Sequence, residues 1–510
     1  MQCSSFEYVP RKPEETVLYR VVAEQLETFL VRQENRERPI PKFVEREFRS
    51  FLECGIPAYG FVRVHCDSCG RDRVVAFSCK GRVWCPGCGG RRMADTAAHL
   101  VDYVFPVVPV RQWVLSSPFA LRYKMAYDSQ LMSDVLNVFA RAVLGDLRRR
   151  ARKFLGLRDS QSGAVTFIQR FGDALNCNVH FHLLALDGVY TRTGDQKPEF
   201  HELPGPDDDE IVEFTTVVAM RTQSLLDRRG LGAESEDDDA LSRDDPGMAA
   251  LYASSIRGRI AVGSNMGYRV ARLGDQIDGD SLDVLQSPCC ATVNGFSVHA
   301  NVSIPAHDRM RLERLCRYAA RPAVATERLS ELPDGRLLYR LKRPWRNGTS
   351  AVVFERHDFL AKLAALVPAP RVHLVRFHGI LGPAAAWRPL IVPLAAAPAA
   401  STATSADARE SVPVHGDPIT STPSVAAVAE GVKPQSTEQR RRNYSWAELM
   451  KRVFAIDVLQ CDHCGGVMRI IAAIHSPEAT RKILDCLGLP SRAPPMAPAV
   501  HEPAFHFDQY

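Results

Sequence analysis

No run of about 18 apolar residues occurs in the chain, so no membrane-spanning helix is expected. The nearest approach, around Ala384–Ala400, is interrupted by Arg388 and three prolines. A phosphate-binding P-loop is also missing, which argues against an ATPase or helicase of that type. The opening MQCSSFEYVPRKPEE lacks the basic-then-apolar order of a secretory leader. The 14 cysteines do not spread out as a disulfide framework but gather in C-x-x-C pairs. That distribution points to a reducing cytoplasm and to metal thiolates. Residues 396–439 contain no Phe, Trp or Tyr and are rich in Ala, Pro, Ser and Thr. Such a stretch cannot bury a core and reads as a disordered linker.

What is present suits a multidomain globular protein. A chain of 510 residues exceeds one ordinary core, and about two to four domains are expected. The net charge of +5 is modest, and its distribution says more than its sum. RRRARK at Arg148–Lys153 and RRR at Arg440–Arg442 are basic, while DDDE at Asp207–Glu210 and EDDDALSRDD at Glu236–Asp245 are acidic. Basic clusters suit a polyanion, although such runs also serve as solvated faces.

Val17, Val21, Val22, Leu26 and Leu30 recur at helical spacing within residues 15–55. A cysteine-rich segment follows, and after a strand-like piece at Arg111–Leu115 the chain reads as mainly helical to about residue 155. GAVTFIQRFG, Gly163–Gly172, is β-rich and lies just before a second apolar run, so the two are expected to pair as antiparallel neighbours. Residues 191–250 read as acidic and loop-rich with helical pieces. GFSVHANVSIP, Gly295–Pro305, alternates like a strand and leads into a helix that must end or bend near Pro322. Further strands are expected at Leu337–Leu341 and Ala351–Phe354, and a small helical module from Tyr444 to about Leu489.

Three constellations carry chemistry. The first is NVHFHLLALDGVY, Asn178–Tyr190, which reads as a buried strand ending at the turn signal Asp187-Gly188. Alternation puts His180 and His182 on one face and Phe181 on the other. Two imidazoles side by side suit a metal or a phosphate; the plain alternative is a strand with two polar residues on its wet face.

The second is HCDSCGRDRVVAFSCKGRVWCPGCGGRR, His65–Arg92. Cys66-x-x-Cys69 and Cys85-x-x-Cys88, with fifteen residues between the pairs, match a tetrahedral structural zinc with no open position. Cys79 and His65 are possible substitutes for one ligand. Arg71, Arg73, Lys80, Arg82, Arg91 and Arg92 surround the knot and suit a nucleic-acid grip. CDHCGG, Cys461–Gly466, is a weaker echo with only half a site, which Cys486 or His463 could supplement.

The third is the helix RLERLCRYAARP. Leu312, Leu315, Cys316 and Ala319 form a core-facing stripe, while Arg314, Tyr318 and Arg321 share another face. A tyrosine flanked by arginines can attack a phosphodiester while guanidiniums hold its oxygens. The plain reading is a tyrosine capping the core.

These pieces occur together in one order. SCKGRVWCPGCGGRRM, VTFIQRFGDALNCNVHFHLLALDGVY, LERLCRYAARPAVATERLS and WAELMKRVFAIDVLQCDHCGGVMRIIAAI resemble the IS91-type rolling-circle transposases. The single-tyrosine insertion-sequence-common-region branch looks closest. The resemblance implies an α+β fold: an HUH endonuclease domain with a central antiparallel sheet and flanking helices, an N-terminal zinc-binding domain and a small C-terminal helical module. The corresponding divisions are 1–110, 111–395, a linker at 396–440, and 441–510 for the C-terminal module and tail. His180 and His182 would hold Mg²⁺ or Mn²⁺, with Gln169 as third ligand and His299 as runner-up, and Zn²⁺ would be structural. Tyr318 would be the nucleophile, assisted by Arg317 or Arg321, and would form a 5′-phosphotyrosine. Two-tyrosine members carry another tyrosine four residues earlier, where this sequence has Arg314. Strand transfer then requires a second protomer in a homo-oligomer, reuse of Tyr318, or a different acceptor. The expected partners are single-stranded and element-end DNA in the cytoplasm, at the nucleoid, with strand separation left to supercoiling or host enzymes. A plasmid replication initiator or relaxase, and a non-catalytic zinc DNA-binding protein, are the alternatives.

Overall fold

The computed structural model describes residues 11–194, 196–231, 240–274, 288–392, 444–454 and 457–500. The linker expected at 396–440 lies outside the described residues. Thr16 opens α1 (Val17–Asn35), its hydroxyl accepting from the Tyr19 amide. The apolar stripe of α1, with Val22, Leu26 and Phe29, meets Val44, Phe48 and Phe51 of α2 (Lys42–Glu53). A hairpin follows, β1 (Phe61–Cys66) and β2 (Asp72–Ala76). Pro86 then sits at the first turn of α3 (Pro86–Tyr103), where its missing N–H costs nothing.

The central part runs through β3 (Val110–Ser116), α4 (Phe119–Tyr127), α5 (Ser129–Leu155), β4 (Gly163–Phe171) and β5 (Cys177–Leu186). A small hairpin, β6 (Gly188–Thr191) and β7 (Glu199–Glu202), leads to α6 (Asp208–Arg228), α7 (Ala240–Asp244) and α8 (Pro246–Ile256). The segment expected to be loop-rich thus contains a helix of 21 residues. Its DDDE run is the helix start: Asp207 and Glu210 form a reciprocal capping box. Next come β8 (Ala271–Leu273), β9 (Cys290–Val293), β10 (Phe296–Ile304), α9 (Arg309–Ala319), β11 (Leu329–Glu331), β12 (Leu337–Arg340) and β13 (Ala351–Phe354). The run closes with α10 (Arg356–Leu366), β14 (Val375–Gly379) and α11 (Arg388–Ile391). From residue 444 onward lie α12 (Trp446–Phe454), β15 (Met468–Ile474) and α13 (Pro477–Cys486).

A six-stranded antiparallel sheet, in the order β14-β4-β5-β3-β10-β9, organises the centre. Strand β5 is interior and buried on both faces, which explains its nearly continuous apolar sequence. Val179, Phe181 and Leu183 point into the larger core with Trp113, Leu115 and Ile168, beneath α4, α5, α8 and α10. Leu184 and Leu186 point the other way and join a second core with Val165 and Phe167, covered by α3 and α9. Leu312, Cys316 and Ala319 are the buried stripe of α9, as their spacing predicts. A four-stranded sheet, β11-β12-β13-β8, stands beside this body.

The C-terminal module departs from the helical expectation. It is a helix–strand–helix unit, and β15 pairs antiparallel with β1 to complete the sheet β15-β1-β2. MRIIAAI is a short apolar run whose type periodicity leaves open; the edge offered by β1 decides it.

Candidate active site and metal centres

Register fixes which side chains share the face under α9. His182 lies opposite Phe167 of β4 and Val114 of β3, and His180 lies opposite Gln169 and Ser116. Directly opposed residues share a face, so Gln169 stands beside His180. The two imidazoles approach with Nε2 atoms 3.1 Å apart. His180 donates from Nδ1 to the Asn178 carbonyl at 2.8 Å, which leaves its Nε2 as a lone pair. Gln112 on β3, a residue the sequence reading did not single out, contacts His182 Nδ1 through its side-chain nitrogen at 2.8 Å. Its amide hydrogen-bonds Nδ1, leaving His182 Nε2 to donate to His180. If the amide is turned so that oxygen faces Nδ1, the His182 Nε2 lone pair is freed for a ligand role.

Burial drives both imidazoles toward the neutral form. His180 is pushed down to about 4 by desolvation, with Arg122 and Arg321 acting the same way against its bond to Asn178. His182 lies well below the ordinary value, from burial first and then from His180 and Arg321. His378 on β14, hydrogen-bonded to Thr166, is lowered by burial to about 4. These rings take up protons readily only after unfolding, so below pH 6.5 the unfolded chain binds more protons. Stability present above that pH is therefore expected to fall as pH drops toward 4, by on the order of 2 kcal/mol for each of His180 and His378, with His182 acting in the same direction. Thermal unfolding between pH 4 and 8 checks this. His378→Gln should flatten the slope, and an unchanged slope in that variant counts against the account.

Tyr318 sits in the last turn of α9 and is 39% exposed. Its ring meets that of His182 edge-on, with centroids 6.1 Å apart at 86°. The Arg321 guanidinium lies 4.7 Å from the phenol centroid and the Lys342 ammonium 5.0 Å. Lys342 is a second residue the sequence reading missed; it arrives from beyond β12, far along the chain. Arg321 also pairs with Asp173 at 3.3 Å. Arg317 instead faces Glu313, at 3.7 Å, one turn back on α9. Arg314, one turn before Tyr318, is exposed. A cavity of about 300 Å³ opens beside Arg321, between Phe171, Asp173, Pro322 and Arg328.

Gln169 links the histidine strand to the tyrosine helix. Its Nε2 donates to the carbonyls of Ala319 at 2.8 Å and Tyr318 at 3.3 Å, satisfying acceptors that a helix end leaves open. Its Oε1 is buried without a hydrogen-bond partner. Two neutral imidazoles and one free amide oxygen on a shared face fit a divalent cation completed by water or phosphate oxygens. His299 is opposite Val114, two strands from His182. About 10 Å therefore separates the two backbones, with Val114 between them.

The cysteines form two sets, not the single set that sequence spacing predicts. Cys85 and Cys88 join Cys54 and Cys79, whereas Cys66 and Cys69 join Cys461 and Cys464; within each set the sulfur atoms lie within 4.8 Å of one another. The expected quartet of Cys66, Cys69, Cys85 and Cys88 is corrected accordingly. Cys79 is a ligand candidate in its own right, while His65 pairs with Asp72 at 2.8 Å. In the first set Cys54 is drawn down to about 7, chiefly by the Cys79 thiol. In the second, Cys461 is drawn down to about 7 by the backbone amides of Cys464 and His463. Thiolates gathered this way suit structural Zn²⁺. Trp84 packs the first set to the core, with its ring 4.7 Å from Phe51 and 5.1 Å from Phe48. The set also borders the tyrosine helix. A Cβ on Gly89 would meet Pro322 at 2.6 Å, and Ala323 donates to the Val83 carbonyl at 3.0 Å.

Among the described residues no helix is long and apolar enough to cross a membrane. Residues 163–386 match the family model described as “Putative transposase”, and residues 22–117 match one described as “Transposase zinc-binding domain”. The two matches do not overlap and together cover more than half of the chain. No curated protein and no solved structure matches it.

Proposed function

We propose, on the premise that this chain belongs to the IS91-type transposases, that it nicks and rejoins single-stranded DNA through Tyr318. The reaction would serve a rolling-circle mode of transposition, on an HUH endonuclease sheet. The observation that carries this reading is the edge-on meeting of Tyr318 with His182, beside the paired nitrogens of His180 and His182. It brings an exposed phenol, cationic groups and two desolvated imidazoles together, the set that this chemistry would use.

In this scheme the Tyr318 hydroxyl attacks the scissile phosphorus. The P–O3′ bond breaks, leaving a 5′-phosphotyrosine and a free 3′-OH. The phenolic proton passes to solvent, and the departing 3′ oxygen takes one up. The new ester keeps the energy of the old one, so a 3′-OH attacking it reseals the strand without ATP. Arg321 and Lys342, already over the phenol ring, are placed to offset charge on the phosphoryl oxygens. Arg317 would first have to leave Glu313. A divalent cation, Mg²⁺ or Mn²⁺, held by His180, His182 and Gln169 would supply Lewis-acid polarisation of the scissile phosphate. With Arg314 in place of an earlier tyrosine, strand transfer needs a second protomer, a second use of Tyr318, or a different acceptor.

The test incubates purified protein and Mg²⁺ with labelled single strands from element ends, then maps the residue left attached. Cleavage confined to a plasmid origin would favour a replication initiator, and the absence of any adduct would reduce the protein to a DNA binder. His180→Ala is expected to abolish most metal-dependent cleavage without loss of zinc; unchanged cleavage with Mg²⁺ would remove the metal role. Gln112→Leu removes the group that orients His182. It is expected to raise the Mg²⁺ concentration for half-maximal cleavage by about tenfold or more, read from a metal titration.

A further inference from the structure

We infer that Cys66, Cys69, Cys461 and Cys464 bind a second zinc, and that this zinc holds the C-terminal module as a brace against the tyrosine helix. The two contributing segments are near copies, CDSCG at Cys66–Gly70 and CDHCG at Cys461–Gly465. Each makes the same turn: Gly70 donates to the Cys66 carbonyl at 2.8 Å, and Gly465 to the Cys461 carbonyl at 2.9 Å. Both glycines have positive φ, 72° and 71°, which a side chain would strain. The turns face each other across sequence separations of 392 and 398 residues, with Cys69 and Cys461 sulfurs 3.7 Å apart and Cys66 and Cys464 sulfurs 3.5 Å apart. Two knuckles of this kind supply the four thiolates of a closed tetrahedral site.

From this anchor the module reaches α9. Arg452 of α12 donates to Glu313 of α9 at 2.7 Å and to Asp102 of α3 at 2.6 Å. Tyr444 donates its hydroxyl to Asp102 as well. Glu313 is in turn the partner of Arg317, one residue before Tyr318. The brace thus ends on Glu313, a buried side chain of the same helix that carries Tyr318 against His182. Its effect on Tyr318 rests on the proposed nuclease reading; the metal site does not.

Zinc per full-length chain is the first measurement. Two equivalents are expected, falling to one in Cys461→Ser/Cys464→Ser; one in the unaltered protein, or two in the variant, overturns the site. Hydrogen exchange of the 309–319 amides is the second. It should speed up several-fold in that variant and in Arg452→Ala, which keeps both zincs. Unchanged exchange in both overturns the brace while leaving the metal. If the unaltered protein forms no DNA adduct, the nuclease reading fails, yet both measurements still decide this inference.

A different observation carries a second inference. The basic run at the end of α5 lines a cavity of about 780 Å³ with Arg148, Arg149, Arg152, Arg158 and Arg192, against a single carboxylate, Asp159. Ser160 and Ser162, in the same wall, are 6% and 4% exposed, and their hydroxyls have no hydrogen-bond partner. Trp387 closes one side. Ser162 precedes β4, and seven residues along that strand, about 20 Å, separate it from Gln169 at the tyrosine site. We propose that this groove binds the phosphodiester backbone of DNA away from the cut. Binding of the full chain to a duplex and to a single strand, each over a range of salt, tests it. In Arg148→Ala/Arg152→Ala/Arg158→Ala the salt slope should fall by about one per arginine and affinity by tenfold or more. A loss with the duplex alone, or with the single strand alone, identifies which form the groove holds. Unchanged slopes with both overturn it.

Discussion

Tyr318→Phe protein is expected to bind single-stranded DNA as the unaltered chain does, and to leave no protein covalently attached to it. The substitution removes one oxygen and keeps the ring. The contacts that hold the ring involve its faces and edge: Arg321 at 4.7 Å, Lys342 at 5.0 Å and His182 at 6.1 Å. Phenylalanine retains them, so the change in stability should stay within about 1 kcal/mol. DNA affinity, which the cationic groups dominate, should change less than about twofold. Adduct formation should drop by at least about a thousandfold, the order seen when a sole nucleophile is deleted. Tyr339 is the nearby alternative, but it is 2% exposed and its hydroxyl accepts from the Ala325 amide at 3.2 Å. Burial pushes its phenol above the ordinary range. A persisting adduct mapped to Tyr339, or to any residue but 318, would end the assignment.

The fate of Gln169 separates what the sequence discloses from what it hides. Alternation in GAVTFIQRFG predicts a strand, and β4 is that strand, paired with β5 as the short connection implies. Alternation alone does not say which face of one strand matches which face of the next. Register supplies this, and it depends on the turn at residues 172–176. Likewise the α9 stripe and the strands at 110–116, 296–304 and 351–354 follow from local periodicity, because each buries one face or both. Gln112 and Lys342 could not be found that way. Each is an ordinary polar residue until the sheet and the segment after β12 bring it to the site.

The cysteine pairing fails for a related reason. C-x-x-C is a local signal, but a tetrahedral site needs two such signals, or one with two single residues, and folding alone selects the partners. Cys54 ends α2 and Cys79 sits in a loop; neither belongs to a C-x-x-C pair. The nearest pair in sequence to Cys85 and Cys88 is Cys66 and Cys69, and the chain uses that pair elsewhere. The signal that could have exposed this is the likeness of CDSCG to CDHCG, since matched knuckles are a reason to pair distant segments.

Cys85→Ser is expected to unfold the N-terminal region and to weaken the tyrosine site with it. Cys85 is 1% exposed, and its sulfur lies 3.6 Å from that of Cys54. Structural zinc contributes on the order of 10–16 kcal/mol to folding of small metal sites, comparable to the roughly 5–15 kcal/mol that stabilises a whole domain. Losing one of four thiolates therefore threatens the domain as a unit, and a buried hydroxyl left in its place adds desolvation cost. The damage should spread along identifiable contacts. Trp84 would lose its fixed place against Phe48 and Phe51. The Gly89–Pro322 approach and the Ala323–Val83 hydrogen bond would loosen, freeing the chain just after Tyr318. Thermal unfolding should show the first transition lowered by at least about 10 °C, with zinc content reduced. Cys486→Ser serves as the comparison, because Cys486 is exposed and belongs to neither set; its melting should match the unaltered chain. A Cys85→Ser protein that melts normally and keeps its full zinc would mean that this quartet does not hold the metal.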